Sequence, residues 1–257
     1  MSRNVNLNTR AKIISISSGK GGVGKTGFAV NLALALAANG KQVLLIDGDL
    51  GLANVDIVLG LNVRHNLQET IQDGRDPSEL LIEINPGFQV LPASSGVPEM
   101  ANLSPAEQYS LTSSLEKLVN KFDYVLLDTA AGLGDSVLWL NTWAMHNIVI
   151  MTPDPTSLTD AYALMKVLAT LHERKKFLLV INNVKSGREG NEVFANMASV
   201  LEKFLSITPS FLGNIPSDSA VTRAVREQRP FFLTTPDSGA AGAIAGIAGR
   251  LVELLPD

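Results

Sequence analysis

The sequence predicts an α/β fold, a single doubly wound domain in which helices flank a mostly parallel central sheet. Two observations support this prediction. Short, almost continuously apolar runs alternate with longer helical segments along the 257-residue chain, and such runs are typical of parallel strands buried on both faces. The first run leads through a glycine-rich turn into a helix. We expect one domain over residues 1–257, with residues 1–10 as a flexible N-terminal tail.

The strands are predicted from short runs of β-branched and other apolar residues bounded by turn residues. They cover residues 13–17, 43–47, 88–91, 124–128, 148–151, 177–181 and 211–212. Helices are predicted between most of them, at residues 28–39, 105–120, 136–145, 157–173, 190–205 and 220–228. The Ala/Gly-rich stretch 240–255 is predicted to be a closing helix that packs closely on the sheet. In such sheets, ligands bind at the carboxyl ends of the strands.

Composition indicates a compact enzyme and excludes several other classes. Hydrophobic residues make up 46% of the chain and charged residues 18%, which supplies an ample core. The net charge is −4 and there is no long basic run, so direct DNA binding is not expected. The absence of cysteine excludes disulfides and thiolate metal sites, and the three histidines lack zinc-ligand spacing. No apolar stretch approaches the roughly 18 residues that span a bilayer, so we expect a cytoplasmic protein.

A phosphate loop is predicted at residues 19–26, which read GKGGVGKT. Its glycines let backbone N–H groups close around phosphate oxygens, and the helix N-terminus adds a favourable dipole. Lys25 would reach the β- and γ-phosphates, and the Thr26 hydroxyl would ligate Mg²⁺. Nucleotide contacts are therefore predicted for Gly19, Gly21, Gly22, Val23, Gly24, Lys25, Thr26 and Gly27. The motif in this setting predicts a P-loop NTPase fold with ATP and Mg²⁺ as cofactors.

Two aspartate-bearing segments follow predicted strands and complete the predicted site. Asp47 and Asp49 end the second strand, where a carboxylate beside the phosphates can orient or polarise a water molecule. Asp47 as a cap for the next segment is an open alternative. Asp128 follows an apolar run in a Walker B arrangement that aims its carboxylate at Mg²⁺ or its waters. The predicted metal ligands are Thr26, Asp47 and Asp128.

The adenine end of the site is predicted from polar residues after two later strands. Asn182 and Asn183 follow the strand at 177–181, and an amide both donates and accepts hydrogen bonds, which suits the adenine edge. Residues 213–218 could supply a rigid wall and backbone contacts. Ordinary polar turns at strand ends are the alternative.

A second lysine in the loop, Lys20, narrows the class of phosphate-loop protein, because an ordinary phosphate loop does not need it. The pattern K-G-G-x-G-K-T resembles the deviant Walker A ATPases of the MinD/ParA group, within the SIMIBI class. The resemblance covers nearly the whole chain and rests on residues 19–26, 47–60, 128–137, 155–166 and 215–224. The second and fourth of these segments are similar to the flagellar branch of the group, the FlhG/FleN (YlxH) regulators of flagellar number.

The resemblance implies an ATPase switch that dimerises with ATP, sandwiches two nucleotides between subunits and hydrolyses them slowly to regulate flagellar number or placement. It implies that Lys20 acts in trans on the partner's nucleotide, that Asp49 positions the attacking water, and that Lys25 serves catalysis as well as binding. It also implies that Asp128 supports Mg²⁺, that Asn183 contacts adenine, and that Pro216 and Asp218 lie near the base.

The resemblance also implies partners: the flagellar GTPase FlhF, flagellar switch-complex proteins or a flagellar transcription activator. Residues 1–10 lack the D-Q-A-x-x-L-R-like segment with which members of this branch stimulate FlhF. The last twenty residues carry Arg250 as their only cation, so we expect weak or absent membrane binding, with recruitment to the cell pole or inner membrane through partners.

Two other functions stay open. One is a ParA- or MinD-type partitioning or positioning ATPase, and the other is a pilus-localisation or scaffold relative that has lost hydrolysis. Intact Lys20, Lys25, Asp49 and Asp128 disfavour loss of hydrolysis. Neighbouring flagellar, partition or pilus genes would separate the three.

Overall fold

The computed structural model describes residues 11–94, 96–97, 100 and 102–256, so the predicted tail at residues 1–10 lies outside the described residues. The described strands form one sheet in the order β3-β4-β2-β5-β1-β6-β7-β8. Neighbouring strands are parallel except for the antiparallel pair β3 and β4. The strands are β1 Lys12–Ser18, β2 Val43–Gly48, β3 Ile82–Asn85, β4 Phe88–Leu91, β5 Tyr124–Ala131, β6 His146–Met151, β7 Phe177–Val184 and β8 Ser210–Pro216.

Helices cover both faces of the sheet. The longer helices are α1 Lys25–Ala38, α4 Pro105–Val119, α5 Asp135–Trp143, α6 Pro155–His172, α7 Gly187–Leu205, α8 Ser219–Glu227 and α10 Gly239–Leu254. Shorter pieces are α2 Val55–Leu59, α3 Gln68–Asp73, α9 Phe231–Thr234 and a 3₁₀ turn at Pro77–Leu80. The predicted α/β class and parallel sheet are confirmed. No helix in the described part of the chain has the length and apolar character needed to cross a membrane.

One strand was missed by the sequence reasoning. β3 has four residues whose burial alternates between half-buried and exposed, and it lies at the edge of the sheet. Four alternating residues give too short a pattern to identify a strand. β8 also extends beyond its predicted bounds, because residues 213–216, expected to form a wall, continue the strand after a register irregularity. The wall at the adenine end is therefore partly strand.

The core holds the phosphate-loop helix rigidly in place. In α1, every residue from Phe28 to Leu36 is buried, so the helix lies inside the molecule. It packs against α10, in which Ala240, Ala241 and Ala248 are buried and small side chains permit close approach. The predicted closing helix is confirmed, and it supports the site by fixing α1 and β8.

Candidate nucleotide-binding site

The phosphate loop joins β1 to α1 at the carboxyl edge of the sheet, as the sequence predicted. Gly22 and Gly24 have φ values of +78° and +91°, which favour glycine because other side chains are strained there. Gly19 is needed for a different reason: a Cβ on it would lie 2.1 Å from the backbone carbonyl carbon of Asp160 in α6. The loop therefore depends on glycine both for its own conformation and for its close contact with α6.

Asn182 anchors the loop from the neighbouring part of the sheet. Its Nδ2 donates a hydrogen bond to the Val23 carbonyl oxygen at 2.7 Å, and its Oδ1 accepts one from the Asn183 backbone N–H at 2.9 Å. The sequence pattern pointed to this pair of asparagines for adenine, but the Asn182 amide is occupied by the loop. Asn183 has a left-handed φ of +59° and an exposed side chain, so it is the member of the pair that is free to face a base.

Lys25 and Asp128 lie together beneath the loop. Lys25 Nζ is 3.6 Å from Asp128 Oδ1, and the Asp128 side chain is only 1% exposed. Burial raises the pKa of Asp128, whereas Lys25 and the Thr26 hydroxyl act in the opposite direction. Asp128 Oδ1 has no hydrogen-bond partner. A buried carboxylate oxygen that has an ion pair but no hydrogen bond, beside Thr26, suits a hard cation or its water ligand.

Few other side chains near the loop could serve as metal ligands. Among the described residues, no group of three or more His, Cys, Asp or Glu side chains is placed to hold a metal ion. Proteins usually hold Mg²⁺ through one or two side chains together with substrate phosphates and waters, and Asp128 with Thr26 is such a pair.

Asp47 is the register partner of Asp128 on the adjacent strand. Its Oδ1 accepts a bond from the Asp49 backbone N–H at 3.1 Å, and its Oδ2 accepts bonds from the Asn54 and Val55 N–H groups at 3.0 and 3.1 Å. Burial, followed by the charge of Asp128, raises the pKa of Asp47 to about 7. The side chain thus holds the loop between β2 and α2, as in the capping alternative, and its role as a magnesium ligand stays a prediction.

Asp49 lies at the open edge of the site. Its side chain is half-buried, burial raises its pKa, and the charge of Lys25 opposes that rise. The carboxylate therefore lies within the field of the phosphate-binding lysine. Its position depends on the loop that Asp47 holds, because its own backbone N–H donates to Asp47.

Lys20 extends from the loop toward the beginning of α6. Its Nζ lies 3.5 Å from Asp154 Oδ1 and also contacts the Thr156 hydroxyl. Asp154 caps α6 and accepts bonds from the Thr156 hydroxyl and backbone, which lower its pKa to about 2. The sequence reasoning did not predict this contact, although Asp-Pro-Thr is a typical helix start. The predicted action of Lys20 across a dimer stays a prediction.

An open cleft of about 450 Å³ continues from the loop to the adenine end of the site. Its lining includes Gly22–Gly24, Asn183, Pro216 and Asp218, together with one side of α8. Asp218 does not present a free carboxylate, because Oδ1 accepts from the Ala220 N–H at 2.9 Å and Oδ2 from the Ala240 N–H at 3.1 Å. These bonds lower its pKa and join α8 to α10.

Comparison with known proteins places this arrangement in a family. A family model described as an AAA domain matches residues 11–181. The antiactivator FleN of Pseudomonas aeruginosa is 38% identical over 240 residues, which cover 93% of this chain and 86% of FleN. The flagellum site-determining protein YlxH of Helicobacter pylori is 32% identical over 245 residues, which cover 95% and 83% of the two chains. This chain belongs to the MinD/ParA family of P-loop ATPases.

Solved structures of the MinD/ParA family share the fold described above. The cell division ATPase MinD of Pyrococcus furiosus superimposes with a TM-score of 0.79 at 26% identity, covering 95% of this chain and 99% of that one. MinD of Pyrococcus horikoshii, determined in complex with Mg-ADP, gives a TM-score of 0.78 at 26% identity and covers 96% and 98%.

Most of the predicted MinD/ParA site is brought together at one edge of the sheet. The loop glycines and Lys25 lie there, together with Asp47 near the end of β2, Asp49 directly after β2 and Asp128 in the second half of β5. The adenine-end residues line one continuous cleft with the loop. The sequence reasoning missed the positioning roles of Asn182 and Asp218. Asn182 follows the predicted strand at 177–181 and Asp218 ends the predicted wall at 213–218, but a polar residue in such a place does not tell whether its side chain faces a ligand or the backbone.

Proposed function

We propose that this chain is a Mg²⁺-dependent ATPase that dimerises with ATP, hydrolyses it slowly and so regulates flagellar number or placement. The observation that carries the proposal is the pairing of Lys25 with Asp128, whose buried carboxylate oxygen has no hydrogen-bond partner beneath a complete phosphate loop. Such a site suits a nucleoside triphosphate with its bound cation.

The residues of the site have separate roles in hydrolysis. Backbone N–H groups of the loop hold the phosphates, and Lys25 offsets the charge that develops on them. Thr26 and Asp128 would hold Mg²⁺, which when bound neutralises phosphate charge. Asp49, half-buried and near Lys25, orients the attacking water. Adenine fits the cleft at Asn183 and Pro216.

Dimerisation would move Lys20 from one contact to another. In the single protomer its ammonium group is offset by Asp154. We propose that the γ-phosphate of the facing subunit, a stronger anionic partner, draws Lys20 away from α6. ATP would therefore favour the dimer and ADP the monomer.

The flagellar role is supported by two relatives, one named as an antiactivator and the other as a flagellum site-determining protein. We propose the flagellar GTPase FlhF, switch-complex proteins or a flagellar transcription activator as partners. The test is deletion of the gene in its own host, followed by complementation with the wild type or with Lys25→Ala. We expect an altered number or placement of flagella, corrected by the wild type alone. Unchanged flagella in the deletion strain would contradict this role.

A MinD-type positioning role is the second candidate, since MinD of Pyrococcus furiosus matches over 95% of this chain. A pull-down with Asp49→Ala protein and ATP separates the two: flagellar proteins support the first proposal, and cell division proteins support the second. Chromosomal partitioning is disfavoured by the net charge of −4, because non-specific DNA binding needs a basic surface.

A further inference from the structure

Five polar side chains are buried together beneath the phosphate loop and take no part in the site described above. They are Ser15 and Ser17 of β1, Thr129 of β5, Asn141 of α5 and Asn147 of β6, and none is more than 2% exposed. Buried polar groups are costly unless they are hydrogen-bonded, and fully satisfied networks hold one arrangement of the chain.

One arm of the network leads from α5 to the segment that follows Asp128. Asn141 Nδ2 donates to Ser17 Oγ at 2.8 Å, and Ser17 Oγ lies 3.0 Å from Thr129 Oγ1. The Thr129 hydroxyl has carbonyl acceptors at Ala130, 2.9 Å away, and at Ile16, 3.2 Å away. The Ser17 hydroxyl has a second acceptor in Asn141 Oδ1, 3.1 Å away, and either hydroxyl of the Ser17–Thr129 pair can be the donor. In both cases the hydrogen bonds link Asn141 through Ser17 to Thr129 of β5.

That arm ends at an irregularity in the sheet. The register of β1 with β5 shifts between Ile16, paired with Asp128, and Ser18, paired with Ala131. Between these two pairs β5 has two residues, Thr129 and Ala130, opposite the single residue Ser17 of β1, so β5 bulges directly after Asp128. The next bond, from the Gly132 N–H to the Ser18 carbonyl at 3.0 Å, ties the end of this segment to the residue before the phosphate loop. The Thr129 hydroxyl thus fills and fixes the bulge beside the nucleotide site.

A second arm of the network provides a comparison. Ser15 Oγ donates to Asn141 Oδ1 at 2.8 Å, and Asn147 Nδ2 donates to Ser15 Oγ at 2.8 Å. This arm joins β1 to α5 and β6; it shares Asn141 with the first arm, but its side-chain hydrogen bonds do not reach β5. Its residues are as deeply buried as those of the first arm, so loss of the Ser15 hydroxyl removes buried hydrogen bonds of the same network without removing a bond to Thr129.

We propose that Thr129, held by Ser17 and Asn141, is a positioning residue for ATP turnover. It fixes the bulge after Asp128 and so sets the position of the Asp128 carboxylate and of segment 130–132 relative to the phosphate loop. This inference rests on the proposed ATPase function. It assigns to α5 a direct mechanical link with the nucleotide site, because Asn141 belongs to that helix and also donates to the Val137 carbonyl within it at 2.8 Å.

The test compares Thr129→Val, which keeps the branched shape and removes the hydroxyl, with Thr129→Ser and Ser15→Ala. Thr129→Val should lower kcat about tenfold with KM changed by less than about threefold, since one buried hydrogen bond is lost at the reacting end. Thr129→Ser should restore turnover. Ser15→Ala should lower the thermal unfolding midpoint to a similar degree but keep turnover within about twofold of the wild type.

A readout independent of turnover is hydrogen exchange of the nucleotide-free protein. Amides in residues 129–134 should exchange faster in Thr129→Val than in the wild type and in Ser15→Ala. Equal exchange and equal kcat in Thr129→Val and Ser15→Ala would overturn the inference and leave the network a purely structural one. A wild type that binds ATP without hydrolysing it would instead count against the proposed function, and hydrogen exchange would still decide the inference.

Discussion

The two lysines of the phosphate loop have different surroundings although they are five positions apart in the sequence. Lys25 is 11% exposed and lies against a buried carboxylate, whereas Lys20 is 42% exposed and contacts the start of another helix. The first is therefore built into its own subunit's site. The second is accessible and held by one ion pair that water weakens, so it can change partners.

Substitution of each lysine should give a different result. Lys25→Ala should abolish ATP binding, because the β- and γ-phosphates lose their main charge partner. Lys20→Ala should keep nucleotide affinity in the monomer and lose hydrolysis. Isothermal titration calorimetry and a phosphate-release assay check both variants. An equal loss of ATP affinity would show that Lys20 acts within its own subunit.

Asp49→Ala should give a dimer that persists with ATP and turns over about 100-fold more slowly. The reason is that loss of a water-orienting carboxylate leaves the phosphate loop unchanged. Single-turnover hydrolysis and gel filtration with ATP measure the two effects. Near-normal turnover would redirect the catalytic role to Asp47, and an increase in monomer with ATP would indicate a role in dimer formation.

The sequence predicted the residues of the site better than their contacts. Lys25 and Asp128 were identifiable because motif spacing fixes what they face once the strands are parallel. The sequence could not tell which of the adjacent asparagines, Asn182 or Asn183, faces the ligand. That depends on the backbone conformation, and Asn183 has a left-handed φ. The Asp218 carboxylate accepts hydrogen bonds from backbone N–H groups of two helices instead of facing a ligand. One of these donors, Ala240, is distant in the sequence, so the contact could not be predicted from local sequence.

At the scale of elements, Asp218 joins α8 to α10 and thereby fixes one wall of the cleft. Asp218→Ala should lower the free energy of unfolding by about 1–2 kcal/mol through the loss of helix capping. It should also weaken ATP binding severalfold, because Pro216 and α8 are then less well fixed. Urea denaturation and nucleotide titration measure both changes.

The matched control is Ser238→Ala, since Ser238 caps α10 by accepting from the Ala241 N–H at 3.2 Å but does not line the cleft. It should cost about 1 kcal/mol of stability without a change in ATP affinity. If the two variants had the same affinity as the wild type, Asp218 would have only a structural role.

Among the elements, the longer helices and the buried strands were predictable, including the four-residue β4, whereas the half-exposed edge strand and the shortest helices were not. The longer helices were identified from helical segments of several turns between the strands, and α1, which is apolar on all sides, from its place after the glycine-rich turn. β3, α2 and α3 have only four to six residues. The conformation of such short segments depends on tertiary contacts that the local sequence does not show. The predicted start of α1 at residue 28 was also too late, because the helix begins at Lys25 within the phosphate loop.

For the whole molecule, we expect a switch in which the γ-phosphate determines whether the protein is a monomer or a dimer. The nucleotide site is open at the carboxyl edge of the sheet, and the accessible Lys20 lies there. A second subunit would cover that edge and exclude water from the phosphates. Most large apolar residues of α10 are buried against α1 and β8, whereas Leu254 at its end is exposed. We expect assembly at the site edge, where Lys20 is accessible.

Light scattering of the wild-type protein measures the state of assembly in each nucleotide. With Mg²⁺ and ADP we expect the mass of a monomer, about 27.4 kDa. With Mg²⁺ and a non-hydrolysable ATP analogue we expect twice that mass, and Lys20→Ala should reduce the dimer fraction because the facing γ-phosphate loses its cation. An identical mass with both nucleotides, under conditions where calorimetry shows that both are bound, would contradict the switch.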